Sequence, residues 1–340
     1  MTTYKEIKGT LIRSVAQDPA NPTLGQVWYN NTIGMLKGKT NVTATWRAGG
    51  NMLLARQSTG NATNGRQTAS LVFGGQTPST TTANTEAYDG TTWSEVANLN
   101  LARRTMMGAG TQTAAIGFGG YINPGGPPTA FCNESEEFNG TSWSEGNNLN
   151  TDKDNAGNCG LQTAALCVGG RGSPGVTIHS QVEEYNGSSW SEVNNIPTAV
   201  AQGITFGIQT AATTTGGSTP GSPSYPAALT FEYDGTNWTA GGNINNPRGA
   251  GGGAGTQTDG LIFGGAQSPP DAALTNVESY NGTAFSNEPA LAIARTANGG
   301  AGTSALAITF GSGINPAGVS ASTEERTNQI TANAVIATGT

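Results

Sequence analysis

Apolar and polar positions along this 340-residue chain fall into short runs that return in one order about every 48 residues. Each unit opens with a small-residue segment behind a cation, as in ARRTMMGAG (102–110). An apolar run ending in Gly-Gly follows: QTASLVFGG (67–75), QTAAIGFGG (112–120), QTAALCVGG (162–170), QTAATTTGG (209–217) and QTDGLIFGG (257–265), with TSALAITFGSG (303–313) as a worn sixth copy. Then come a Tyr-bearing segment, an Asp-Gly or Asn-Gly pair and a Trp-bearing segment, as in EAYDGTTWSEV (86–96). Trp46, Trp93, Trp143, Trp190, Trp238 and Phe285 lie 47, 50, 47, 48 and 47 residues apart. Short apolar runs bounded by Gly and Asn read as strands, so each unit predicts four of them.

Asp89-Gly90, Asn139-Gly140, Asn186-Gly187, Asp234-Gly235 and Asn281-Gly282 are expected at hairpin tips, in two-residue type I′ turns whose central residues both need φ > 0. The flanking Tyr and Trp are large β-formers suited to packing between sheets. Four-stranded units that cannot bury both faces alone must stack on copies of themselves. Arranged radially they form a propeller, with the Gly-, Ala-, Ser- and Thr-rich strands near the axis and the bulky Trp at the rim. A linear solenoid would need atypical capping repeats at both ends. Instead TATWRAGGNM (43–52) reads as the end of a unit whose beginning is missing, and 295–327 as a unit whose end has eroded. Joining them gives an all-β fold: a six-bladed propeller of four-stranded antiparallel blades. Thr43–Trp46 is the expected outer strand of the last blade, with 329–338 (QITANAVIAT) as the competing segment.

Composition narrows the partners. Charged residues make up 11% of the chain and the formal net charge is −7, against the basic footprint that nucleic-acid binding needs. No apolar run reaches 18 residues, and the N-terminus lacks a signal-peptide pattern, so neither membrane insertion nor ordinary secretion is expected. Three cysteines, Cys132, Cys159 and Cys167, form no disulfide framework and fit synthesis in a reducing compartment. The Asn-x-Ser/Thr triplets sit largely in the Asn-Gly turns and read as turn chemistry.

The order Arg … Gly-Gly … Tyr … Trp resembles the kelch repeat over residues 43–327. Blades one to three match well; the sixth lacks both Tyr and Trp. Upstream, SVAQDPANPTLGQVWYNNTIGMLKGKTNVTATW, with its core GQVWYN and LKG, resembles the leader of virion structural proteins of marine tailed bacteriophages, many of which continue into kelch-like repeats. The resemblance implies an arm and short β-unit at 1–42 that docks to other virion proteins, a propeller at 43–327, and a tail or closing strand at 328–340. It implies a virion protein, made in the host cytoplasm and present in multiple copies, that attaches to a host-surface glycan or protein through loops, without catalysis. An intracellular kelch-type interaction scaffold and a glycan-active enzyme are the alternatives.

The catalytic inventory is short. His179 is the single histidine, and one His cannot build a two- or three-His metal site or the two-His copper centre of kelch-like oxidases. Cys167 reads as core filler. No cofactor or metal motif is present. Glu136-Glu137, Glu183-Glu184 and Glu324-Glu325 cannot form dyads, because adjacent strand residues face opposite ways; they are expected on a solvated edge. Arg56, Arg103, Lys153, Arg248 and Arg295 recur before the innermost strand, with Val200 breaking the series. They are either a ring touching anions or sugars at one channel mouth, or bonds within the repeat. The inserts between Gly-Gly and the Tyr strand differ in every unit and share one face; scaffold-held loops are a usual place for recognition. Tyr121, His179 and Tyr225 lie on them as candidate ligand contacts, beside the five cations.

Overall fold

The computed structural model describes residues 12–17, 26–41, 44–122, 130–173, 177–221, 227–267, 272–314, 318–327 and 331–338. The chain divides into two compact units: residues 45–327, and residues 1–44 together with 328–340. In the smaller unit Arg13–Val15 runs parallel to Val27–Asn30, which pairs antiparallel with Met35–Asn41, which in turn pairs with Thr331–Thr338. Trp28 is fully buried there, and Asn30 Oδ1 caps the turn by accepting from the Thr32 and Ile33 amides. The segment 331–338 therefore belongs to this sheet, not to the sixth blade.

Among its described residues the larger unit holds six four-stranded antiparallel sheets. The strands of blades 1–5 begin and end at Gly60 and Val96, Met107 and Gly146, Gly157 and Val193, Ile204 and Ala240, and Gly252 and Glu288. Blade 6 is built from Gly299–Gly302, Ala307–Ile314 and Gly318–Arg326, and its outer strand is the N-terminal Trp46–Ala48. The innermost strands touch one another in a closed circle, blade 1 meeting both blade 2 and blade 6. Glycine and alanine dominate them because a neighbouring blade leaves no room for more: a Cβ on Gly108 of blade 2 would meet the ring of Phe73 of blade 1 at 2.6 Å, and one on Gly300 of blade 6 that of Phe263 of blade 5 at 2.7 Å.

A second circle, made of backbone alone, ties the blades at their entrances. Among the described residues, the non-glycine positions with φ > 0 are Ser58, Thr105, Asn155, Gln202, Ala250 and Ala297, with φ between 49° and 59°. Each precedes an inner strand. The N–H of each donates to the carbonyl of its counterpart in the preceding blade, at 2.7–3.0 Å, and Ser58 closes the circle on Ala297. The left-handed conformation costs about 1–2 kcal/mol per non-glycine residue. Six interblade hydrogen bonds, each about 1 kcal/mol net, offset that cost where the blades converge.

The hairpin tips lie where expected, but the turn type differs. Tyr88 pairs with Trp93, so four residues separate the strands, and the same holds for Phe138 and Trp143. Only the glycine of each pair is left-handed (Gly90 94°, Gly140 91°). The preceding Asp or Asn instead accepts two amide hydrogen bonds with its side chain: Asp89 Oδ1 from Thr91 and Thr92, Asn139 Oδ1 from Thr141 and Ser142. A side chain that caps its own turn in this way needs no second positive φ.

The paired acids also depart from expectation. Glu136, Glu183, Glu324 and Glu325 are at most 3% exposed, so they do not form a solvated edge. Their two faces meet different partners. The first acid binds the cation of its own blade: Arg56–Glu86, Arg103–Glu136, Lys153–Glu183, Arg248–Glu278 and Arg295–Glu324, at 2.5–3.1 Å. The second accepts the phenol O–H of the next blade: Tyr88 to Glu325, Tyr185 to Glu137, Tyr233 to Glu184 and Tyr280 to Glu232.

Candidate binding face

All inner strands run in one direction, so the blade entrances and the loops between second and third strands share one face of the larger unit, and the Asp-Gly and Asn-Gly hairpins share the other. Three of the variable loops carry accessory ribbons on that face. Tyr121–Ile122 pairs with Ala130–Phe131 in blade 2. Lys153–Asp154, Arg171–Gly172 and Thr177–Ile178 form a small sheet in blade 3, and Ala266–Gln267 pairs with Ala272–Ala273 in blade 5.

Between the ribbons of blades 2 and 3 lies a cleft of about 310 Å³, lined by Arg104, Thr105, Tyr121, Phe131, Asp154 and Arg171. Backbone bonds in both directions between Arg104 and Tyr121 fix its wall. The Arg104 guanidinium sits 5.1 Å from the Tyr121 ring centroid, within cation–π range. Tyr121 meets Phe131 edge-on, with centroids 5.5 Å apart. Opposite, Arg171 grips the buried Asp154 through two bonds, Nε to Oδ1 and Nη2 to Oδ2, each 3.1 Å. Thr105 Oγ1 donates to the same carboxylate at 3.0 Å. Arg104 Nη1 donates to Gln76 Oε1 of blade 1 at 2.7 Å, while its buried Nε has no hydrogen-bond partner.

The axis is narrower. A polar cavity of about 110 Å³ is lined by the residues of the backbone circle together with Asn61, Asn158 and Asn298. Three of its carboxamides donate within the protein, Asn61 to the Gly300 carbonyl, Asn158 to that of Gly108 and Asn298 to Thr309, while Asn155 Nδ2 and Asn298 Oδ1 have no hydrogen-bond partner.

The candidate contacts scatter. Arg56, Arg103, Lys153, Arg248 and Arg295 have no exposed surface, so they do not ring a channel mouth. Desolvation lowers the pKa values of Arg56, Arg248 and Arg295 from the ordinary arginine value, an effect their carboxylate partners oppose. His179 is 8% exposed and packs against Gly172. Burial, reinforced by the charge of Lys153, lowers its pKa, so it is a neutral packing residue of its loop and presents little surface to a ligand. Tyr121 is half-buried in the cleft wall. Tyr225 lies outside the described residues, as do 123–129, 174–176, 268–271 and 315–317 of the variable loops. Arg104 and Arg171 had no signal in the repeat: each occurs in one blade, which is what a site rather than a scaffold residue looks like. Cys132, Cys159 and Cys167 are buried free thiols pushed up to about 12, chiefly by burial. Among the described residues no three His, Cys, Asp or Glu side chains come together to hold a metal, and no helix is long and apolar enough to cross a membrane.

No family model matches the sequence, and no curated protein matches it. The fold has known relatives. The chain is similar to the protein of a solved structure entitled "Structure of YjhT", with a TM-score of 0.66 over 80% of this chain and 95% of that one, at 13% identity. At that identity the likeness defines the class, an all-β propeller.

Proposed function

We propose that this protein is a non-catalytic structural component of a tailed-bacteriophage particle, displaying the loop face of its propeller for attachment to the host surface or to neighbouring virion proteins. One observation carries the reading. The recurring charged side chains are spent inside the blades as ion pairs, while the residues that differ between blades gather on one face around the cleft of Arg104, Tyr121 and Arg171. Such a division suits a rigid holder with interchangeable contacts. The leader GQVWYN … LKG (25–38) supplies the setting, and docking falls to the smaller unit. Several copies on one particle would multiply modest contacts into avidity. Mass spectrometry of purified particles, with antibody labelling in the electron microscope, tests this. The protein is expected in the particle at fixed stoichiometry, and its confinement to the lysate as a free chain would overturn the reading.

A further inference from the structure

We propose that the cleft between blades 2 and 3 is a binding site for a carboxylated sugar residue, such as a uronate of an acidic surface polysaccharide. The inference deepens the attachment reading, on which it rests for its choice of face. Two guanidinium groups and one carboxylate line the cleft, a local excess of one positive charge in a chain of net charge −7. The carboxylate of Asp154 is 2% exposed and already holds Arg171 and Thr105, so it orients a cation rather than facing a ligand. Arg171 keeps a third of its side-chain surface exposed, and Arg104, which lines the cleft, has a buried Nε without a hydrogen-bond partner. A guanidinium presents a planar fork matched to a carboxylate.

The remaining walls decide the rest of the ligand. Tyr121 and Phe131 are half-buried rings set at 80° to each other, an apolar surface of the kind that takes the C–H face of a sugar ring. A volume of about 310 Å³ lies at the small end of ligand pockets, about 300–1,000 Å³. That is room for one or two sugar rings and not for a folded protein surface. The cleft therefore reads one charged unit of a chain that continues across the face.

The test uses the full-length protein and isothermal titration at low ionic strength, with three probes: tri-galacturonate, neutral maltotriose and a sulfated disaccharide. Saturable binding of tri-galacturonate without binding of maltotriose is the expected result. Arg104→Ala and Arg171→Ala should each weaken it by on the order of tenfold or more, Arg171→Lys should weaken it while keeping the charge, and Arg66→Ala, an exposed cation on the opposite face, should leave it unchanged. Melting temperatures would identify any misfolded variant. Should Arg104→Ala not fold, Phe131→Ala replaces it with the same expectation. Absence of uronate binding up to millimolar concentration, or equal binding by the folded variants, overturns the assignment. Equal affinity for the sulfated probe overturns its carboxylate specificity. Particle proteomics is independent of these titrations: a chain that binds uronate but is missing from particles sinks the virion reading alone, and a particle protein blind to uronate sinks only the cleft.

Discussion

Val200 shows what the buried ion pairs do. It stands where the other blades have Arg or Lys, and in the same blade Phe231 stands where they have Glu; the two join one apolar cluster. A cation and its acid have been lost together, as they must be, because a lone buried charge is far more costly than either a pair or an apolar contact. The same rule governs the phenols. Blade 1 has Ala87 in place of the second acid, and blade 2 has Phe138 in place of the Tyr that would seek it; both lie in one cluster. In blade 6 the Tyr position is Arg326, which instead reaches Glu288 of blade 5 at 2.9 Å. Arg103→Ala should therefore cost about 3–5 kcal/mol in denaturant unfolding, whereas the double change Arg103→Val with Glu136→Phe should recover most of it. The phenols set an alkaline limit. Burial, then the bonds to Glu325 and Glu232, raise Tyr88 and Tyr280 to about 12. The folded state holds these protons after the unfolded chain, titrating near 10, has released them. Stability is thus fully present below pH ~10 and declines as pH rises towards ~12. Unfolding curves across that window should show the fall, and Tyr88→Phe with Tyr280→Phe should flatten it.

At the level of the strand and hairpin, the outer Trp is a joint between blades. Trp143 lies tilted against Phe138 of its own blade and edge-on to Phe73 of blade 1, and its Nε1 donates to Thr85 Oγ1 at 3.2 Å. Trp190 repeats this with Phe118 and Ser135. Trp143→Ala should cost about 3–5 kcal/mol, and a loss below ~1 kcal/mol in chemical denaturation would mean that the joint carries no load. Gly140→Val should cost about 1–3 kcal/mol, since a β-branched residue resists φ of 91°. Much of this element was legible in the sequence, because Trp spacing and Gly-Gly stops are local signals. The glutamine of each QTA motif was equally visible, yet its role was not. Gln67, Gln112, Gln162, Gln209 and Gln257 each clamp two carbonyls of the preceding blade, as Gln112 does those of Ser70 and Tyr88. A side chain that serves another unit leaves no mark of its partner in its own repeat. The second acid of each pair is hidden for the same reason, since Glu137 accepts from Tyr185 of the next blade, 48 residues away; the first acid is hidden by distance within its own blade, Glu136 meeting Arg103 33 residues away. The paired lapses at Val200 and Phe231 were the available clue. The cleft was legible only in Tyr121, since Arg104 and Arg171 converge from the entrance of blade 2 and the accessory sheet of blade 3, and neither side chain recurs in the other blades.

Over the whole propeller, closure depends on one short strand taken from the other end of the sequence. Trp46–Ala48 pairs with Glu324–Arg326, Arg47 binds Glu325, and Thr45 and Thr327 exchange hydrogen bonds beside them. A chain begun at residue 49 should keep five complete blades but lose several degrees of melting temperature and the sharpness of its transition, as followed by calorimetry. The same strand dictates when the molecule can come into being. Its residues leave the ribosome before every other strand of the propeller and must wait, unmatched, until Gly318–Arg326 of the last blade has been synthesised. Any prematurely terminated product keeps that strand without its mate, leaving a raw β-edge that quality-control proteases and aggregation both recognise. Only chains that carry the partner strand Gly318–Arg326 can shut, so the arrangement acts as a proofreading step on translation.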